Sequence, residues 1–355
     1  MTAEATADVP ALSIVIPSYN SAPWLPSTIA ALGAAVENAS LTAELIVVDD
    51  GSRDDTGRVV ESAASRFPGA VRVITQENAG RFAARRRGIE TAHAETILLI
   101  DSRVVIGPDS LRVLWTRATS DGPRSWNGHI VTDTSAPLVG LFWEVPTHIF
   151  WSAYLADPRP MILTAENFDT APKGTTMFLA PRETLLAAFH SAQPTVASPL
   201  VSDDTKVLRW IAENGGIRLD PAFEAVYRPR TTVRGFLGHA FDRGTLFVDS
   251  YAGTTRSRSA ILLLLAAAPP ALLCIATAFV ASGRWRSLSA LVGTAAAGLG
   301  TLAGLASVRR CPPRSIRAFL LYALPFALPF WAGIARGVAI HRAAFLSTSH
   351  KEQTS

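Results

Sequence analysis

Polar residues suited to binding a nucleotide follow three short apolar runs. Pro17–Asn20 follows LSIVI, Asp49–Asp50 follows ELIVV, and Asp101–Arg103 follows TILLI. A carboxylate at the end of a strand can accept a hydrogen bond from a ring N–H of a nucleotide base, and Asp50, with Asp49 beside it, is placed for that role. The alternative is that both aspartates cap the following turn, where a glycine supplies a permissive backbone.

The triplet Asp101–Ser102–Arg103 has an arginine where a second carboxylate would complete a metal clamp. Hard cations need oxygen ligands, so Arg103 cannot hold one. Its guanidinium can instead pair with phosphate oxygens. The triplet is therefore an incomplete metal site, an anion site of another kind, or only the end of a strand.

The apolar runs alternate with helical patterns through the first half of the chain. APWLPSTIAALGAAVENA and RFAARRRGIETAH have helical spacing, and SRDDT starts another helix with Ser52 and Asp55 in capping-box positions. This alternation predicts an α/β domain with a doubly wound, mostly parallel sheet at 12–255, after a flexible N-terminus at 1–11. Ligands bind at the carboxyl ends of such strands, so the three polar clusters predict one site. PSYNSAP follows the first strand in place of a G-x-G-x-x-G turn, which disfavours a nicotinamide-binding enzyme.

Three long apolar segments follow, at about 261–281, 288–308 and 318–335. Each is close to the roughly 20 residues that cross a bilayer, which predicts a membrane domain at 256–345 with two or three transmembrane helices, and a tail at 346–355. Pro325 and Pro329 interrupt the third segment, and a basic tail follows it. Three spans would place that tail opposite the first domain, against the positive-inside tendency, so two spans and an interfacial helix remain the alternative.

The charged residues are unevenly distributed, although the net charge of the 355-residue chain is only +4. Arginines concentrate at 228–258 and 309–317, where they either contact anionic lipid headgroups or form a solvated basic face. The two cysteines lack metal-like spacing, and the first residues lack the pattern of a signal peptide. The simplest interpretation is a reduced chain at the cell membrane whose first domain faces the cytoplasm.

Four motifs, in this order, resemble family 2 glycosyltransferases, which are inverting nucleotide-sugar enzymes with the A-type fold. They are SIVIPSYNSAPWLPSTIAAL, ELIVVDDGSRDDT, ENAGRFAARRRGIETAHAETILLIDS and SDDTKVLRW, and the resemblance covers about 12–244. The resemblance implies that Pro17 and Tyr19 line the pocket for the base, together with Asp49 and Asp50. It also implies that Arg85 approaches the nucleotide.

The same resemblance implies that Asp101 helps to hold the ribose, in a motif that is usually Asp-x-Asp. The last carboxylate of that motif ligates a divalent cation in the family, but this sequence has Arg103 at that position. Asp101 is therefore the only candidate metal ligand here. Three alternatives stay open: Arg103 replaces a bound Mg²⁺ or Mn²⁺, other groups hold the metal, or the site is inactive. In the first alternative, a fixed guanidinium stabilises the departing diphosphate.

SDDTKVLRW corresponds to the acidic pair that precedes a helix in the family. The second acid of the pair, Asp204, is implied as the general base that deprotonates an acceptor hydroxyl. The alternative is that Asp203 and Asp204 only cap the helix and interact with its dipole.

The resemblance thus implies a membrane-anchored, hexosyltransferase-like enzyme of glycan or cell-envelope biosynthesis. It would move a sugar from a nucleotide diphosphate-sugar to a hydroxyl of a lipid-linked or membrane-proximal acceptor. One alternative is a polyprenyl-phosphate glycosyl synthase, in which the acceptor is already an anion and arginines at 228–234 matter more than Asp204. Another is a non-catalytic scaffold. The expected partners are a nucleotide diphosphate-sugar donor, a lipid-linked or glycan acceptor and membrane lipids, with no nucleic acid.

Overall fold

The computed structural model describes residues 9–117, 122, 124–194, 201–202 and 204–346. Residues 1–8 of the predicted flexible N-terminus, residues 347–355 of the predicted tail, and Asp203 lie outside the described residues. The chain forms two compact units. The first unit comprises Met1–Asp133, Asp157–Pro199 and Asp203–Arg228, and the second comprises Thr134–Ala156, Leu200–Ser202 and Pro229–Ser355. The predicted division into a catalytic domain at 12–255 and a membrane domain at 256–345 stays a prediction.

The first unit contains a nine-stranded sheet. Its strands are β1 (Leu12–Ser18), β2 (Ala43–Asp49), β3 (Ala70–Thr75), β4 (Thr96–Ile100), β5 (Val104–Ile106), β6 (Trp126–Thr132), β7 (Met161–Leu163), β8 (Met177–Pro181) and β9 (Ile217–Tyr227). The helices of this unit are α1 (Leu25–Asn38), α2 (Thr56–Ala63), α3 (Gly80–Thr91), α4 (Ser110–Arg117), α7 (Arg182–Ser191) and α8 (Thr205–Asn214), where α5 and α6 belong to the second unit.

The first four strands are parallel and confirm the predicted α/β class. Their order in the sheet is β3-β2-β1-β4, and every residue of β1 and β2 is buried. Strands covered on both faces need apolar residues at successive positions, which is why these runs are continuous and do not alternate with polar residues. Beyond β4 the order continues β8-β6-β9-β5, with antiparallel pairs β4–β8, β6–β8 and β5–β9. This mixed half corresponds to the part of the sequence where the strand–helix alternation ends.

Helix α3 lies very close to β1 because Gly88 has no side chain. A Cβ atom added at Gly88 would stand 2.3 Å from Cγ1 of Val15. This close approach holds α3 firmly against the sheet, and Arg85, one turn earlier on the same helix, is buried as a result.

The second unit is helical. Its helices are α5 (Glu144–Phe150), α6 (Ser152–Ala156), α9 (Val233–Tyr251), α10 (Arg256–Ala281), α11 (Trp285–Val308), α12 (Pro313–Ile340) and α13 (Arg342–Leu346). By length and composition, α10, α11 and α12 are each able to cross a membrane. Pro325 and Pro329 lie inside the continuous helix α12, although they interrupt the apolar run of the sequence. Whether α12 spans the bilayer or lies at its surface stays a prediction.

Helices α9 and α12 pack through glycines. A Cβ atom at Gly333 would stand 2.0 Å from the carbonyl oxygen of Phe241, and one at Gly244 would stand 2.1 Å from that of Phe330. Small residues let two helix backbones approach this closely, as they do in membrane helix pairs. Helix α9 is therefore tightly paired with α12, the last of the three long apolar helices.

Candidate functional site

The loop after β1 is joined to the loop after β2 by hydrogen bonds. The backbone N–H of Asn20 donates to Oγ of Ser52 at 2.9 Å, and that of Arg53 donates to Oδ1 of Asn20 at 2.8 Å. Asn20 has a φ of 49°, a left-handed conformation that asparagine tolerates better than most residues. The turn leaves Tyr19 45% exposed, next to Pro17 at the carboxyl edge of the sheet. The predicted base-stacking residues therefore lie at the expected edge.

Asp50 is buried and makes hydrogen bonds within the chain. Its Oδ1 accepts from Nε2 of Gln76 and from the backbone N–H of Ala79, and its Oδ2 accepts from that of Gly80, each at 2.8 Å. The carboxylate therefore satisfies donors at the start of α3, where the positive end of the helix dipole favours it. Asp50 therefore caps the start of α3, in addition to lying in the turn that follows β2. A nucleotide role for Asp50 stays a prediction.

Asp49 has fewer contacts than Asp50. It is 8% exposed, and its Oδ1 accepts from the backbone N–H of Ser52 at 3.0 Å. It lies opposite Ser18 in the pairing of β1 with β2. Of the two aspartates at the end of β2, Asp49 keeps the larger capacity to accept a hydrogen bond from a ligand.

Arg85 and Asp101 form an ion pair at the end of β4. Nη2 of Arg85 lies 2.5 Å from Oδ1 of Asp101, and the arginine side chain is 1% exposed. Burial lowers the pKa of Arg85, and the charge of Asp101 opposes that shift. Nη2 also lies 3.4 Å from the carbonyl oxygen of Thr175. The two predicted residues therefore contact each other, and the guanidinium of Arg85 orients the carboxylate of Asp101.

The protein side chains at this position do not fit a divalent cation. Asp101 supplies one carboxylate, one oxygen of which is paired with Arg85, and the next position on that side of the loop carries Arg103. Among the described residues, no group of three His, Cys, Asp or Glu side chains is arranged to hold a metal. Mg²⁺ and Mn²⁺ need several oxygen ligands, so we assign no chemical step to a metal here.

Arg103 lies over the indole ring of Trp24, with Cζ 4.3 Å from the ring centroid. Its Nη1 is buried, and no described residue accepts a hydrogen bond from it. Burial lowers the pKa of Arg103, while Tyr227 and Asp101 raise it and Arg228 lowers it further. An arginine keeps its proton near neutral pH despite such a shift. Arg103 is therefore a cation whose Nη1 can still donate a hydrogen bond to a ligand.

Arg228 holds the loop that carries Arg103. Its Nη2 donates to the carbonyl oxygens of Trp24 and Ser102 at 3.0 and 3.3 Å and to Oγ1 of Thr28 at 2.6 Å. Its backbone N–H donates to the carbonyl oxygen of Arg103 at 3.0 Å. Sequence reasoning placed Arg228 in a basic cluster but did not find this internal role, because its partners come from distant segments.

Asp204 is the N-cap residue of α8. Its Oδ1 accepts from the backbone N–H of Thr205 at 2.6 Å and from the hydroxyl of the same residue at 3.0 Å. Its charge acts on both Arg85 and Lys173 and raises the pKa of each, against the lowering caused by burial. The predicted base is therefore within electrostatic reach of the Arg85–Asp101 pair, although it also caps its helix as the alternative proposed.

A cluster of one aromatic and three charged residues beside α8 was not predicted from the sequence. Phe168, Asp169 and Lys173 lie in the segment between β7 and β8, and Arg209 lies on α8. Phe168 is 1% exposed, and the cations of Lys173 and Arg209 both lie over its ring. The segment ENFDTAPKG has no helix or strand period and no recognisable motif, so only the fold reveals this group.

Part of the chain is similar in sequence to known proteins. Residues 13–137 match the model of glycosyl transferase family 2. An undecaprenyl-phosphate 4-deoxy-4-formamido-L-arabinose transferase of Pseudomonas savastanoi pv. phaseolicola is 34% identical over 101 residues, 28% of this chain and 30% of that protein. The protein of the same name in Aeromonas hydrophila subsp. hydrophila is 31% identical over 105 residues, 29% of this chain and 32% of that protein. The chain thus spans less than a third of the length of these relatives.

A solved structure resembles the whole chain more distantly. It is the mannosyltransferase PcManGT from Pyrobaculum calidifontis in complex with GDP-Man and Mn²⁺, with a TM-score of 0.53 and 15% sequence identity, covering 90% of this chain and 88% of that one. At this identity the likeness concerns the fold alone. Residues 13–137 are thus similar to glycosyl transferase family 2, in a chain with an A-type glycosyltransferase sheet and three long apolar helices at its C-terminal end.

Proposed function

We propose that this protein is a membrane-anchored inverting glycosyltransferase that moves a sugar from a nucleotide diphosphate-sugar to a hydroxyl of a lipid-linked or membrane-proximal acceptor. The observation that carries the proposal is the position of Asp204. Its carboxylate starts a helix within electrostatic reach of Arg85 and Lys173, beside the strand ends that carry the predicted nucleotide residues. An acid at that place can take a proton from an acceptor.

The transfer is a single in-line displacement. The acceptor oxygen attacks the anomeric carbon and its proton goes to Asp204. The bond from that carbon to the diphosphate breaks with both electrons staying on the leaving oxygen. Arg103, whose buried Nη1 has no acceptor among the described residues, is available to stabilise the negative charge that develops there.

At the other end of the donor, the base and ribose lie at the ends of β1, β2 and β4. Tyr19 offers exposed surface for the base, Pro17 lies buried two residues before it, Asp49 offers an acceptor, and Asp50 keeps the start of α3 in place. Asp101, oriented by Arg85, is the acceptor for the ribose. This assignment agrees with the binding of ligands at the carboxyl edge of a parallel sheet.

The membrane helices support a cytoplasmic position for the residues before α10. Arg256 and Arg258 lie in the first turn of α10, and arginines 309, 310, 314 and 317 surround the connection between α11 and α12, whereas only Arg284 and Arg286 lie at the connection between α10 and α11. If α10 and α11 both cross, the larger group of arginines faces one side of the membrane. The positive-inside tendency makes that side the cytoplasm.

The names of the relatives favour a second candidate, a polyprenyl-phosphate glycosyl synthase. Those relatives are named for transfer to undecaprenyl phosphate. A phosphate acceptor is already an anion and needs no general base, so in this case Asp204 is dispensable for proton transfer. The two candidates differ in the acceptor and agree on the donor.

The test is a transfer assay with the detergent-solubilised full chain, a panel of nucleotide diphosphate-sugars, and two acceptors, a polyprenyl phosphate and a hydroxyl-bearing glycolipid. The Asp204→Asn chain should still bind nucleoside diphosphate but lose transfer to the hydroxyl. Asp55→Asn, at an exposed aspartate that pairs with Arg58, is the matched control and should keep full activity. Near-normal turnover by Asp204→Asn with polyprenyl phosphate favours the second candidate, and no transfer by the unaltered chain with any donor contradicts both.

A further inference from the structure

The segment between β7 and β8 is tied to α8 by a cluster around Phe168. Nζ of Lys173 lies 4.3 Å, and Cζ of Arg209 lies 4.4 Å, from the centroid of the Phe168 ring. Asp169 lies between the two cations: its Oδ1 is 3.7 Å from Nζ of Lys173 and 3.4 Å from Nη2 of Arg209. A cation over an aromatic face is more strongly held when the ring is buried, as this one is.

The other end of the same segment contacts the donor side of the site. The carbonyl oxygen of Thr175 lies 3.4 Å from Nη2 of Arg85, and that of Thr176 accepts from the backbone N–H of Asp101 at 3.0 Å. The backbone N–H of Gly174 donates to Oδ1 of Asn127 at 3.0 Å, which fixes the segment to β6. One short stretch of chain thus contacts the helix of the predicted base and the ion pair that holds the donor.

Arg209 contacts this segment from the part of α8 that does not enter the core. The buried residues of α8 are Val207, Leu208, Ile211 and Ala212. These side chains fix the rotation of the helix against the sheet, whereas Arg209 joins the helix to Phe168 and Asp169. Asp204 lies at that start, and the helix has only ten residues.

We infer that Phe168 is a positioning residue: with Lys173 and Arg209 it sets the distance between the Asp204 carboxylate and the Arg85–Asp101 pair. The inference rests on the proposed function, in which Asp204 accepts the proton from the acceptor. A general base must stand within hydrogen-bond reach of the proton that it removes. Loss of the cluster lets α8 move, which changes that reach without touching the nucleotide pocket.

Two variants separate positioning from stability. Phe168→Leu removes the aromatic face, and Arg209→Met keeps the aliphatic stem on the ring but removes the cation. A displacement of about 1 Å costs about 100-fold in rate, so both variants should lower kcat by about tenfold to 100-fold. The KM for the donor and the Kd for nucleoside diphosphate should stay unchanged. Arg209→Lys keeps a cation over the ring and should recover most of kcat.

The matched control is Arg218→Met, which removes an arginine from the face of Trp126, where Cζ lies 5.2 Å from the ring centroid. This pair joins β6 and β9 and lies outside the 168–176 segment, so its loss should leave kcat unchanged. If Phe168→Leu unfolds, the comparison of Arg209→Met with Arg209→Lys decides the inference, because Arg209 is partly exposed. Unaltered kcat in a folded Arg209→Met or Phe168→Leu chain overturns it, as does a parallel fall in donor binding. Absence of transfer in the unaltered chain overturns the proposed function itself.

Discussion

Replacing Arg103 by methionine should weaken transfer much more than it weakens folding. Methionine retains an apolar stem that packs on Trp24 but removes the guanidinium. If that guanidinium bonds a phosphate oxygen of the leaving group, its loss costs about 1.5–3 kcal/mol, the range for a hydrogen bond to a charged group. Since about 1.4 kcal/mol is a factor of ten, kcat/KM should fall by about tenfold to 100-fold.

The cost to stability is smaller because two effects oppose each other. The cation over the indole contributes about 0.5–2 kcal/mol, depending on how far it is desolvated. Burial lowers the pKa of Arg103, which means that desolvation of its charge destabilises the folded state. Removing the charge removes this cost and so offsets part of the lost cation–ring contact. We therefore expect a change of less than about 2 kcal/mol in the free energy of unfolding.

The assay is steady-state transfer with and without excess chelator, for the unaltered chain, Arg103→Met and Arg103→Asp. If the arginine takes the place of a metal, transfer by the unaltered chain persists in chelator, and Arg103→Asp becomes dependent on added Mn²⁺. Arg112→Met, at an exposed arginine that pairs with Asp109, is the control and should behave as the unaltered chain. Activity of the unaltered chain that disappears in chelator and returns with Mn²⁺ would refute this reasoning, as would full activity of Arg103→Met.

Three further predictions concern folding and binding. Asp50→Asn should lower the free energy of unfolding by about 1–3 kcal/mol, because the backbone N–H groups at the start of α3 lose their carboxylate acceptor. Denaturant titration measures this change, and calorimetry with nucleoside diphosphate shows whether binding falls as well. Burial raises the pKa of Glu44, but hydrogen bonds from Ser13 and His93 and the charge of Arg72 outweigh that effect, so the pKa is lowered overall. The ionised Glu44 therefore stabilises the folded state above about pH 4.5, and this stabilisation is lost as the pH falls through the folded-state pKa. Glu44→Gln should therefore flatten the acid limb of the stability profile measured by denaturation from pH 3 to pH 7. Gly333→Leu should prevent the close packing of α9 with α12 and lower thermal stability in detergent, whereas Gly298→Leu, where an added Cβ meets nothing within 4 Å, should not.

The strand ends were predictable from the sequence because burial on both faces leaves a direct trace. A strand covered on both sides needs apolar residues at successive positions, and the first polar residue after such a run marks the carboxyl edge of the sheet. Asp49 and Asp101 were located in this way: β4 ends with its apolar run at Ile100, and β2 ends one residue after its apolar run, at Asp49. Position along the chain was enough to place these residues at one edge of the parallel part of the sheet.

The partners of these residues were not predictable in the same way. Asp50 accepts from the start of α3, and Arg85 pairs with Asp101, because α3 stands close enough to β1 that only a glycine fits at position 88. That distance is set by three-dimensional packing and leaves no periodic trace. The cluster around Phe168 shows the same limit, since its members come from an irregular segment and from a helix further along the chain.

The two arginines over Trp24 show how a fold gives different tasks to identical residues. Arg103 lies 4.3 Å and Arg228 lies 5.3 Å from the indole centroid. Arg228 uses its donors on oxygens of the chain, including the carbonyl oxygens of Trp24 and Ser102. Nη1 of Arg103 is buried and has no hydrogen-bond acceptor among the described residues, while the carbonyl oxygen of Arg103 accepts from the backbone N–H of Arg228. A buried donor without an acceptor is costly, and a bound anion would offset that cost. For this reason we assign the structural task to Arg228 and propose that Arg103 is the residue that meets the diphosphate.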